Sequence, residues 1–107
     1  MPGTQKIRTR TERVNSAKSF ADREKALQTL RTIPGVGKSI SVDLWNLGFR
    51  SVDSLKNKDP EKLYRRHCVR AGVPVDRCLL YVFRCAVYYA SHRKHDDALL
   101  LWWNWKD

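Results

Sequence analysis

Ile33-Pro34-Gly35-Val36-Gly37-Lys38-Ser39 puts two glycines, a lysine and a hydroxyl into one short segment between two amphipathic stretches. Glycine takes φ > 0 without a Cβ clash and lets another backbone come close, so Gly35 and Gly37 suit a tight hairpin with outward-facing amides. If Lys38 and Ser39 open a helix, its first amides have no intrahelical acceptor and its dipole favours negative charge. The chemistry of such a segment is the capture of an anion, phosphate above all, with no bond made or broken. The candidate contacts are Gly35, Val36, Gly37, Lys38 and Ser39. The glycines and Val36 would offer amides, Lys38 a direct charge, and Ser39 a hydroxyl or a helix cap. Arg31 and Arg50 are weaker candidates nearby.

Composition names the anion more closely. The 107 residues include 21 Lys and Arg against 11 Asp and Glu, a formal net charge of +10. Such an excess favours polyanions by long-range attraction and counterion release. Charge alone fits a merely soluble basic surface; charge together with the hairpin points to the phosphates of nucleic acid, DNA first.

Other chemistries fit less well. Gly37-Lys38-Ser39 ends like a nucleotide P-loop, but that motif needs glycine where Thr32 stands, and it follows a strand rather than a helical pattern. His67, Cys68, Cys78, Cys85, His92 and His95 could donate to a metal, yet their spacings fit no common zinc or iron–sulfur ligand set. Cys78 and Cys85 on one helix would stand about 10 Å apart by helix rise. An odd number of cysteines without a Cys-x-x-Cys pair predicts reduced thiols packed as small hydrophobes. The carboxylates are scattered and form no nucleophile–base pair, so no enzyme, metal or cofactor is expected. Apolar runs too short for a bilayer and the absence of a signal-like apolar core predict a cytoplasmic, membrane-free monomer.

The elements that would position the hairpin are helical throughout. Residues 1–18, polar with Lys6, Arg8, Arg10, Arg13 and Lys18, predict a flexible basic arm. Ser19-Phe20-Ala21-Asp22 has capping-box spacing, and Ala26, Leu27, Leu30 and Ile33 recur at helical intervals until Pro34 ends the first helix. A second helix is predicted from about Lys38 to Leu47, closed by Gly48 with Phe49 folding back. Ser51 to Leu55 predicts a short capped turn, and Asp59-Pro60-Glu61 starts a third helix that stops at Gly72. Val75 to about Ser91 reads as a buried fourth helix with Arg77 and Arg84 sharing an exposed face. A charged hinge, His92 to Asp97, leads to a Trp-rich helical tail that seals the core. The organisation is therefore an all-α bundle of about five helices: an arm over 1–18, a domain over 19–91 and a tail over 92–107.

Leu30 to Leu47, with its Ile-Pro-Gly-Val-Gly-Lys-Ser centre, resembles the helix-hairpin-helix motif of DNA repair and recombination proteins. Residues 59–90 would be its second, non-identical copy in a tandem helix-hairpin-helix domain related to the SAM-like fold. More narrowly, the chain resembles the small bacterial "pathogenicity locus" family, sometimes described as mitomycin-resistance proteins. That likeness rests on Leu44-Trp45-Asn46-Leu47-Gly48, Gly72-Val73-Pro74-Val75-Asp76-Arg77-Cys78, Leu80 to Tyr89 and Trp102-Trp103-Asn104-Trp105-Lys106. The resemblance implies a compact fold whose hairpin amides, here Gly35 to Ser39, grip consecutive phosphates of one strand without reading bases. The second corner departs from the pattern: Ala71-Gly72-Val73-Pro74 has one glycine and no amide at Pro74, which implies a packing role. The expected function is non-sequence-specific DNA binding in repair or damage tolerance. The alternative is a protein–protein adaptor using the SAM-like surface or the Trp-rich tail.

Overall fold

The structure, a computed structural model, describes residues 20–107. The expected basic arm and Ser19 lie outside the described residues. Four α-helices carry the fold: α1 over residues 20–30, α2 over Lys38–Asn46, α3 over Pro60–Ala71 and α4 over Cys78–Ser91. Three 3-10 turns, Asp53–Leu55, Asp97–Leu100 and Trp102–Trp105, complete it, with no strand among the described residues. The described residues are thus all-α, with four α-helices among them where about five were expected for the chain.

Local chemistry explains the boundaries. α1 ends at residue 30 rather than at Ile33, because Thr32, Ile33 and Val36 close successive tight turns on Thr29, Leu30 and Ile33 carbonyls. α2 ends in a full Schellman arrangement: Gly48 is left-handed at φ 102, the Gly48 amide donates to Trp45 and the Phe49 amide to Leu44. Phe49 then folds back into the core. At α3 the Asp59 carboxylate accepts the Glu61 amide at 3.0 Å, ahead of Pro60 at the first helical position. α4 starts at Cys78, three residues later than expected, because the Asp76 carboxylate takes the Cys78 amide at 2.8 Å and fixes the first turn there.

α4 is the axis of the core. Leu80, Phe83, Cys85 and Ala86 are fully buried, with α3, the Asp53–Leu55 turn and the C-terminal 3-10 turns packed around them. Leu30, Ile33, Val36, Leu44 and Phe49 bring α1, the hairpin and α2 into the same cluster. The tail departs from a continuous helix: Leu101 is extended at φ −93, ψ 109 and splits it into two single turns. Arg84 also departs from its expected exposure. Its side chain is 19% exposed, and its guanidinium donates to the Trp105 carbonyl (2.7 Å), Glu61 Oε1 (2.8 Å) and Asp107 Oδ1 (2.8 Å). Arg77 binds the other oxygen of Asp107. The two arginines do share a face, but that face holds the tail.

Candidate functional site

The hairpin is built by what it hides. Val36 turns its side chain into the core, and its amide donates to Ile33 at 3.1 Å, so this residue anchors the turn and has no amide to offer a ligand. Gly35 sits at φ 85, a conformation that disfavours any side chain. Gly37 is the N-cap of α2 at φ −95, ψ −165, and its carbonyl accepts the Ser41 amide at 2.9 Å. Gly37, Lys38 and Ser39 are exposed. Their amides and that of Ile40 find no acceptor among the described residues. These are the orphan donors that every helix start must satisfy somehow.

The starts of α3 and α4 each give one such amide to a carboxylate of their own. α3 uses Asp59, followed by Glu61 in its first turn; α4 uses Asp76. The Cys78 amide and thiol hold the Asp76 carboxyl below its ordinary range, the sign expected for an anion fixed by donors. α2 has no side-chain cap and no acid in its first turn. An incoming anion would therefore meet free amides and Lys38 at α2, but a resident carboxylate at α3 and α4.

The two outlying candidates part company. Arg31 lies at the end of α1, in the turn that leads into the hairpin. Arg50 lies beyond the opposite end of α2, a nine-residue helix about 13 Å long. Its guanidinium stacks 3.4 Å over the Trp45 ring and donates to the Trp45 carbonyl at 2.8 Å. Arg50 therefore neutralises the α2 C-terminus and does not join the hairpin.

Sequence reasoning missed the packing of the tail on the hairpin. A Cβ at Gly35 would lie 3.1 Å from Cδ1 of Trp102. Gly35 is therefore required twice, by its dihedral angle and by the indole against it. Cys85 lies just beneath, its Sγ 3.5 Å from the Leu99 carbonyl, which also accepts Trp105 Nε1 at 2.8 Å. Burial pushes the Cys85 thiol up to about 11, so it is a packing group at neutral pH. Nothing in the sequence pairs position 35 with position 102; only the folded chain brings them together.

No three His, Cys, Asp or Glu side chains converge on a possible metal position among the described residues. His67 Nδ1 is buried with no hydrogen-bond partner among the described residues, and its ring lies edge-on to Phe83. Burial raises the nearby Asp43 carboxyl, with the His67 charge pulling the other way. No helix of the described residues is long and apolar enough to cross a membrane.

No curated protein and no solved structure matches the chain. The family described as "Pathogenicity locus" does match, over residues 23–107, a span that takes in most of α1, the hairpin, α2, the α3 and α4 pair and the tryptophan turns that close on Gly35. The chain belongs to the Pathogenicity locus family.

Proposed function

We propose that this protein binds nucleic acid, DNA first, through the phosphate backbone at the hairpin, without reading sequence. In this reading α1, the hairpin and α2 form a helix-hairpin-helix unit. The α3–α4 pair is its packing partner in a tandem, SAM-like arrangement. The observation that carries the proposal is the α2 start: alone among the starts of α2, α3 and α4, it lacks a carboxylate of its own. A phosphate oxygen there would accept the Gly37, Lys38 and Ser39 amides, satisfy the helix dipole and pair with the Lys38 ammonium. Backbone amides and a lysine recognise charge and geometry rather than base edges, so binding would be blind to sequence. The protein would act as a monomer in the cytoplasm, holding DNA for repair or damage tolerance and doing no chemistry on it.

The second reading, a protein adaptor, is favoured by the tail, where Leu101 and Trp103 are 41% and 47% exposed. Salt-titrated binding to matched single- and double-stranded probes separates the two. DNA binding predicts an affinity that falls steeply with salt and weakens in Lys38→Glu. A flat salt dependence, or a Lys38→Glu protein with wild-type affinity, removes the hairpin as the site.

A further inference from the structure

α3 carries four cations on the side away from the core. Lys62, Arg65, Arg66 and Arg70 recur at i, i+3, i+4 and i+8, so they form one stripe about 12 Å long. All four are exposed, whereas Leu63 is buried and Tyr64 and His67 are partly buried on the opposite side. The acid of this helix, Glu61, is turned away and bound to Arg84 at 2.8 Å. No ion pair neutralises the stripe among the described residues.

Between the stripe and the end of α2 runs an open groove of about 580 Å³, lined by Asn46, Leu47, Arg65, Arg66, Val69 and Arg70. One of its cations is already fixed. The Arg66 guanidinium donates to the Leu47 carbonyl at 2.9 Å, which holds it at the groove wall. Val69, 82% exposed, is the apolar residue of the stripe. Four like charges on one helix repel each other, by up to about 1 kcal/mol per pair at 4 Å in water, and among the described residues only the Leu47 carbonyl on Arg66 offsets that. A line of negative charges running along the helix would offset the remainder.

We infer that the exposed face of α3 is a second contact for the phosphate backbone of the same nucleic acid, independent of the hairpin amides. Charge complementarity selects this partner: a regular row of cations with no interspersed acid matches a polyanion of uniform sign. The inference rests on the nucleic-acid reading but uses different residues and a different helix, so the two fail separately.

The test is Arg65→Gln with Arg70→Gln, which removes two charges that hold no hydrogen bond among the described residues and leaves Arg66 in place. Arg93→Gln with Lys94→Gln, beyond the far end of α4, removes the same net charge from another exposed surface. Binding to a DNA duplex is measured across a salt series, with melting of each variant as the folding control. The expected result in the α3 variant is a salt slope lowered by about 1.8, since each phosphate no longer neutralised reduces it by about 0.9. Its affinity at 0.1 M salt should be about tenfold or more weaker. The control pair keeps the wild-type slope. An α3 variant no weaker than the control overturns the inference. Wild-type affinity in Lys38→Glu alongside weakening in the α3 variant would remove the hairpin and leave the α3 face standing.

Discussion

Replacing Gly37 by Asp should strengthen the fold and weaken DNA binding in the same molecule. Gly37 has the extended N-cap geometry, φ −95 and ψ −165, that any residue adopts, and a Cβ there meets nothing within 4 Å. The new carboxylate would accept the Ser39 or Ile40 amide, as Asp59 does from Glu61 at 3.0 Å. An Asp cap improves on Gly by a few tenths of a kcal/mol, its charge on the helix dipole adds about 0.3–1 kcal/mol, and the loss of glycine freedom in the unfolded chain adds about as much. The sum, about 1–2 kcal/mol, raises the melting temperature by about 4–8 °C for each kcal/mol in a domain of this size. On the binding side, the carboxylate would compete with the proposed phosphate for the same amides, and a contact separation of about 4 Å sets the scale of their repulsion. Repulsion at that distance lies between about 1 kcal/mol in water and about 4 kcal/mol at a protein surface, which alone weakens affinity about fivefold or more. Calorimetric melting and fluorescence anisotropy on one preparation read both effects. A variant that melts higher yet binds DNA as tightly as wild type would refute the α2 start as the phosphate site, since misfolding could not be blamed.

Two further expectations concern the tail. Gly35→Ala should destabilise the fold by about 1–2 kcal/mol through its left-handed backbone alone, with more from the methyl pressed against Trp102. In a Trp102→Ala background only the dihedral part should remain, so chemical denaturation of the four proteins should show coupling; strict additivity would mean that the two residues do not touch. Asp107 provides an acid-sensitive latch. Hydrogen bonds from Arg77 and Arg84 hold its carboxyl below the ordinary range, so its stabilisation is present above about pH 4 and is lost as pH falls through the lower folded value. Asp76 contributes with the same sign, while half-buried Asp43 has the opposite one and is relieved by protonation. Tryptophan emission should therefore shift to the red below about pH 4, ahead of the loss of helical circular dichroism, and Asp107→Asn should show that shift already at pH 7. Wild-type emission and melting in Asp107→Asn would rule out the latch.

Much of the helical order was legible because its signals are local. Asp59-Pro60-Glu61 starts α3, Gly48-Phe49 closes α2, and the Ser51–Leu55 turn lies where serine caps and a single buried leucine require it. Boundaries failed where two local signals competed. Val75 opens an apolar run, but the Asp76 carboxylate captures the Cys78 amide and delays α4. Leu99 to Trp105 has helical composition, yet the tail is drawn across α4 by Arg84 and by the Leu99 carbonyl, and only single turns fit that path.

The candidate site was legible only in part, for a physical reason. A sequence shows which groups could bind an anion; it does not show which of them the fold has already used. Val36 and Arg50 both read as phosphate ligands; the Val36 amide is used inside the turn, and the Arg50 guanidinium, still exposed, is tethered to Trp45 beyond the far end of α2. The helix starts show the converse, since Asp59 and Asp76 matter to the site by filling the places that Gly37 leaves open. The α3 stripe follows the same logic at a larger scale. Its four cations in twelve residues are denser than the 21 in 107 of the whole chain, and Glu61, the acid of α3, is drawn off to Arg84 on the other side of the helix. What singles out the α2 start is the lack, among the described residues, of a carboxylate for amides of a kind that α3 and α4 cap, and what marks the α3 face is a row of cations whose one nearby acid is paired elsewhere; both are properties of three-dimensional pairing rather than of composition.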